Sequence, residues 1–230
     1  MFAFVILCFG VFGDRQGRVR SIEHHTRTVY TTMLVCSGWK WQSKWQRAGF
    51  VTKCIDDQQQ RMYISKFLKG PVPQLLPIQA SDISRAILMY AHGGYYADAD
   101  VEPLLRIREE DLHGRVLGLE SNFSSRKAAE MHMMQRSLAL WIFHGEKGDK
   151  WWLRLAQHCL DNVARMLRGD ARTYDYILHT TGPTAWTTFA GNVDAKPIYY
   201  FGCGQQHSHS PPCTDPRCFC CHHFAGSWLR

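Results

Sequence analysis

Short bursts of β-branched and aromatic residues alternate along this chain with segments whose apolar positions recur at helical spacing. Thr28 to Val35 is the first extended run and Phe50 to Ile55 the next. Between them, Trp39, Trp41 and Trp45 predict a helix, with Trp41 and Trp45 facing the core. Asp56 and Asp57 cap a helix that reaches about Leu68, and the three prolines of Gly70 to Pro77 make an irregular connection. Beyond it, Ser81 or Asp82 caps a helix carrying Ile83, Ala86, Ile87 and Tyr90, which the Gly93-Gly94 pair ends. Tyr95 and Tyr96 favour extended backbone, so a short strand follows. Val116 to Leu119 reads as a buried strand, and Lys127 to Phe143 and Asp149 to Leu167 as the two longest helices. Pro183 opens a helix running to about Ala190, and Ile198 to Phe201 is the last strand. Strands alternating with helices predict an α/β domain with a mainly parallel, Rossmann-like sheet flanked by helices, its site at the carboxyl ends of the strands.

With 230 residues, 45% hydrophobic and 13% aromatic, the chain has material for one domain with a substantial core. The predicted division is an apolar and basic segment at 1–27 of open role, then one domain over 28–230 that includes a Cys/His-rich segment at 203–223. Met1 to Gly13 is too short to span a bilayer, which takes about 20 apolar residues. It fits the apolar part of a secretory signal, a buried strand or an incomplete N-terminus, and Arg15, Arg18 and Arg20 follow it rather than precede it. The formal charge of +7 suits an anionic ligand or an acidic membrane surface, while the scattered basic residues give no nucleic-acid stripe. Five of the 9 cysteines fall between Cys203 and Cys221. In an oxidising lumen they form disulfides or structural thiols; in a reducing compartment Cys213, Cys218, Cys220 and Cys221, with His222 or His223, would hold zinc.

The chemistry concentrates between Ser81 and Pro103. Asp98 and Asp100, two residues apart where the strand runs out, project from one face and offer hard oxygen ligands that suit Mn²⁺ or Mg²⁺ carried with a diphosphate. Asp82 and Arg85, three apart on the preceding helix, share a face and could grip phosphate and sugar hydroxyls. Either pair alone is ordinary: Asp-x-Asp recurs in loops, and Asp82 with Arg85 could be an exposed helical ion pair. Their combination with Gly93, Gly94 and Tyr96 at fixed spacing is the signal.

This stretch resembles glycosyltransferase family 32, sugar-transferring enzymes with a DXD motif that include Golgi α-1,6-mannosyltransferases and are related to α-1,4-galactosyltransferases and glucosylating toxins. Two later segments agree: His179 to Pro183 resembles the family's TGP turn, and His222 to Trp228 its terminal His-x3-Gly-Ser-Trp. The family's first strand, ending in a His-x-x-Trp-like sequence, has no clear match here. The resemblance implies a GT-A-like fold and transfer of a hexose, with retention, from a UDP- or GDP-linked donor to a glycan or glycolipid hydroxyl. It implies a Golgi or other secretory lumen as the setting, with membrane association open. Asp98, Asp100 and His223 would stand at the metal, and Asp82, Arg85, Tyr96, Ser227 and Trp228 at the nucleotide sugar. Two rivals are a haloacid dehalogenase-type phosphotransferase using Asp-x-Asp, and a non-enzymatic binding protein with a zinc-held Cys/His tail.

Overall fold

The computed structural model describes residues 27–33, 36–104, 114–122, 136–166, 174–191, 203–204 and 220–223. Thr28–Thr32 (β1) and Val51–Ile55 (β2) are the first strands, and Gln42–Arg47 (α1) lies between them. Asp57–Phe67 (α2) starts at a capping box: the Asp56 carboxylate accepts from Gln59 N at 2.8 Å, and the Gln59 side chain accepts from Asp56 N at 3.1 Å. Trp45 alone of the three early tryptophans lies in α1; Trp39 is buried in the turn before it and Trp41 stands half-buried at its N-cap.

Pro77–His92 (α3) begins 4 residues ahead of Ser81. Proline at the first helical position explains the earlier start, since its fixed φ suits a helix and its missing N–H is not needed there. Gln79 reaches back to accept from Leu76 N at 3.0 Å. Gly93 ends α3 at φ 67°, and Gly94 follows at φ 94°, where a Cβ would stand 2.7 Å from the Thr28 carbonyl. That contact is the close approach of Gly94–Ala97 (β3) to β1. Val101–Pro103 (β4) follows directly.

Val116–Asn122 (β5) agrees with expectation, but Arg136–Gly145 is a strand (β6) where a helix was expected through Phe143. A continuous apolar run has no period to separate helix from strand, and antiparallel partners on both sides, β3 and β5, decide it. Lys150–Met166 (α4) buries Trp152, Leu155, Cys159 and Val163, while Met166 is exposed. Tyr174–Thr180 (α5) and Pro183–Ala190 (α6) close the helical layer. Cys203–Gly204 (β7) and Cys220–His222 (β8) are the last described strands; the segments expected at Ile198 to Phe201 and at the N-terminus, and Ser227 and Trp228, lie outside the described residues.

The main sheet runs β2-β1-β3-β6-β5, parallel through β2, β1 and β3 and antiparallel beyond. A second sheet runs β4-β8-β7. The α/β expectation holds, with the parallel part of the main sheet confined to β2, β1 and β3 and a further parallel pair, β7 with β8, in the second sheet. Core side chains cover both faces of the main sheet. Tyr96 and Phe143 pack with residues of α2, α3, α4 and α6, and Tyr95, Ala97 and Trp141 pack with Trp45, Val101 and Cys220. Asp98 to Asp100 therefore turns between the two sheets, at the carboxyl end of a strand packed on both sides.

Candidate active site

Every residue of α3 from Asp82 to Met89 is buried. A polar side chain there has no route to water and must find partners inside the protein. Asp82 and Arg85 do so with each other, Oδ1 to Nη2 at 3.1 Å, in a buried ion pair instead of an exposed one. Thr181 Oγ1 donates to the other Asp82 oxygen at 2.9 Å. The second sequence motif thus meets the first through a hydrogen bond.

Arg85 also reaches forward. Its Nη1 donates to the Leu140 carbonyl at 2.7 Å and stands 3.3 Å from Asp98 Oδ1, while Nη2 donates to Ser81 Oγ at 3.0 Å. The Leu140 carbonyl is available because β6 bulges: Leu117 pairs with Phe143 but Gly118 with Ala139, leaving Leu140 to Ile142 out of register with β5. The next carbonyl, of Trp141, accepts from Asp98 N at 2.9 Å and carries the β3 pairing one residue further. Tyr96, fully buried, lays its ring 4.7 Å from the Arg85 guanidinium carbon and donates from its hydroxyl to Asp98 Oδ1 at 2.7 Å. Asp98 is therefore held at its backbone and at one carboxylate oxygen.

Burial pushes the Asp82 carboxyl up to about 6, against the opposing pull of Arg85 and Thr181. Burial disfavours the charged form of Arg85, yet Tyr96, Asp98, Asp82 and Asp100 outweigh it and raise the guanidinium above its ordinary value. Burial likewise raises the Tyr96 phenol, so it stays a hydrogen-bond donor at neutral pH.

Asp98, Asp100 and His222 bring one ligand atom each to within 4.8 Å of one another. His222 Nε2 lies 3.3 Å from Asp100 Oδ1, and its ring stacks on Trp141 at 4.7 Å between centroids. The β4–β8 pairing, Val101 opposite His222, brings it there, and His223 N extends the pairing by donating to the Asp100 carbonyl at 3.2 Å. His223 itself is exposed: its Nε2 is 2.8 Å from Glu102 Oε2, and its ring stacks on Trp41 at 5.0 Å. Lys44 pairs with the other Glu102 oxygen. Burial alone would raise Glu102, but the hydrogen bonds from Lys44 and His223 prevail and lower it. A cavity of about 310 Å³ lined by Lys44, Arg47, Glu102, Pro103 and Leu104 opens beside this cluster. Another of about 320 Å³, among α4, α5 and α6, includes neither Asp98 nor Asp100.

Two carboxylate oxygens suit hard divalent cations, and an imidazole nitrogen moves the preference toward a transition metal. These three side chains fit a divalent ion and could hold one. The sequence pointed to His223. Neighbouring residues along extended backbone face opposite ways, so β-register, invisible in the sequence, turns the His222 side chain to the Asp100 carboxylate and the His223 side chain to Glu102.

Residues 50–123 match the family model described as "Glycosyltransferase sugar-binding region containing DXD motif". That segment runs from the residue before β2 to the residue after β5 and contains α3 and the Asp98–Asp100 turn. The chain is 22% identical to the initiation-specific alpha-1,6-mannosyltransferase of Schizosaccharomyces pombe, over 75% of this chain and 54% of that protein. It thus spans about half the length of that curated relative. A solved structure, PaToxG glycosyltransferase, aligns at TM-score 0.44 and 12% identity over 71% of this chain and 68% of its own, a likeness too loose to carry an argument. The family match covers the part of the chain that carries Asp82, Arg85, Asp98 and Asp100.

Proposed function

We propose that this protein transfers a hexose from a UDP- or GDP-linked donor to a hydroxyl of a glycan or glycolipid. The observation that carries the proposal is the meeting of Asp98, Asp100 and His222 at the end of β3, braced by the buried Asp82–Arg85 pair inside the segment matching the family. Asp98, Asp100 and His222 would hold Mn²⁺ or Mg²⁺, with the imidazole favouring Mn²⁺. A divalent ion there supplies charge to offset what grows on the departing diphosphate.

Each nitrogen of Arg85 already has a protein partner, including Nε, which donates to the Ser81 carbonyl at 3.4 Å. Its proposed part is to fix Asp98, and that of Asp82 is to fix Arg85. Lys44 and Arg47 add positive charge beside the cluster, which suits an anionic donor. In the proposed reaction the acceptor oxygen bonds to the sugar's anomeric carbon on the face from which the diphosphate leaves. The carbon–oxygen bond to phosphate breaks, and the acceptor proton passes to that phosphate, so configuration is retained.

Cys36 and Cys54 form a disulfide across 18 residues, and Cys221 is disulfide-bonded as well. Such bonds persist in oxidising compartments, which supports the proposed Golgi or secretory-lumen setting. Among the described residues no helix is long and apolar enough to cross a membrane. A thiolate taken up in a disulfide cannot ligate zinc, so the bond at Cys221 weighs against a zinc-held tail.

A thermal-shift panel of UDP- and GDP-hexoses, with and without Mn²⁺, tests the proposal, because a ligand that binds only the folded state raises its melting temperature. At least one donor should stabilise the protein in the presence of the ion. No shift with any nucleotide sugar would contradict the reading.

A further inference from the structure

Five side chains close a ring beneath the Asp98–Asp100 turn. Arg85 Nη2 meets Ser81 Oγ at 3.0 Å, Ser81 Oγ meets Thr32 Oγ1 at 2.6 Å, and Thr32 Oγ1 meets the Tyr96 hydroxyl at 2.7 Å. Tyr96 meets Asp98 Oδ1 at 2.7 Å, and the Arg85–Asp98 ion pair at 3.3 Å completes the circuit.

Proton counting gives the ring one direction. A guanidinium only donates and a carboxylate only accepts, so Arg85 gives to Ser81 and Tyr96 gives to Asp98. Tyr96 has one hydrogen and has used it; the hydrogen in its contact with Thr32 must come from Thr32. Thr32 has then used its own, so the hydrogen between Ser81 and Thr32 comes from Ser81. The order Arg85, Ser81, Thr32, Tyr96, Asp98 is the only one that supplies a hydrogen to every contact. Hydrogen bonds in such a one-way chain polarise and strengthen one another.

We propose that this ring is a positioning device and that Thr32, on the last residue of β1, is its hub. Thr32 and Ser81 touch no ligand atom of the Asp98, Asp100 and His222 cluster. They act through Tyr96 and Arg85, the two groups bound to Asp98 Oδ1. The ring fixes the rotamer of Asp98 before any ion arrives, as partners behind metal ligands do. No motif marks Thr32 in the sequence, where it sits inside an ordinary β run. The proposal rests on the reading of Asp98, Asp100 and His222 as a divalent-cation site.

Titration calorimetry of the full chain with Mn²⁺ alone, without donor, tests it, using wild type, Asp98→Asn, Thr32→Val, Thr32→Ser and Ser81→Ala. Thr32→Val keeps the shape and removes the hub hydroxyl, so Mn²⁺ should bind about tenfold more weakly or worse. Thr32→Ser restores the hydroxyl and should bind like wild type. Ser81→Ala should shift affinity in the same direction as Thr32→Val, and it decides the matter if Thr32→Val does not fold. A purely structural Thr32 would lower the melting temperature and leave Mn²⁺ affinity unchanged, and that result overturns the positioning role alone. A wild type that binds no Mn²⁺, or binds it no better than Asp98→Asn, overturns the cation site and the ring's purpose together.

Discussion

Thr181 Oγ1 donates to Asp82 Oδ2 at 2.9 Å, joining the turn ahead of α6 to the middle of α3 across 99 residues of chain. Both residues are buried, so the carboxylate has no water to replace this donor. Thr181→Val should cost about 1–3 kcal/mol, the range for leaving a buried polar group without its partner. Urea denaturation at neutral pH checks it, and a loss within error would mean that Asp82 finds another donor.

Asp82 also sets a pH dependence. Its carboxyl is pushed up to about 6 from 3.8, first by burial. Between those values the folded chain keeps a proton that the unfolded chain has released, so this group's contribution to stability falls as pH rises through the window and is level above it. That rise corresponds to about 3 kcal/mol. Asp82→Asn has no such proton, so the stability of the variant relative to wild type should rise by up to about that amount between roughly pH 4 and pH 7. Parallel denaturation curves across that range test it; a constant difference would contradict the raised carboxyl.

Arg85→Lys separates charge from geometry. Lysine keeps the positive charge but loses the fork that spans Ser81, Asp82, Leu140 and Asp98. Because the site is buried, the variant should lose about 3 kcal/mol or more of stability as well as donor turnover. An unchanged unfolding midpoint would show that the ammonium satisfies the same partners.

Much of this site could be read in the sequence and part of it could not, for identifiable reasons. The Gly93-Gly94 stop, the short strand and the two aspartates follow from local chemistry: positive φ at glycine, extended backbone at tyrosine, and period-two spacing. The structure starts α3 earlier than the sequence suggests, because Ser81 and Asp82 are good N-caps in isolation whereas Pro77 and Gln79 open the helix ahead of them. Arg136–Gly145 looked helical because an apolar run of that length carries no period, and only its pairing with β3 and β5 makes it a strand. The burial of Asp82 and Arg85 depends on neighbours far along the chain. The choice of His222 depends on β8 register, and the role of the Leu140 carbonyl on a bulge in β6. None of these leaves a local mark.

The Cys36–Cys54 disulfide ties the stretch after β1 to β2. It closes a loop of 18 residues, for which the chain-entropy estimate is about 3 kcal/mol. Cys54→Ser should lower stability by about that much and remove the difference between melts run with and without reductant at this bond. Wild-type melting unaffected by reductant, with the bond shown reduced by mass, would contradict a stabilising role.

Asp98, Asp100 and His222 are proposed as a divalent-cation site for sugar transfer. Its most direct measurement is Mn²⁺-dependent release of nucleoside diphosphate from the donor that stabilises the protein, compared among wild type, Asp98→Asn, Asp100→Asn, His222→Ala and His223→Ala. Turnover should vanish with chelator and return with Mn²⁺. The two asparagine variants should fall by at least about a hundredfold, the scale of losing one preorganised electrostatic group. His222→Ala should fall further than His223→Ala, with all variants folded by circular dichroism. Turnover that survives chelator, or that persists near the wild-type rate in Asp98→Asn and Asp100→Asn, would contradict the claim.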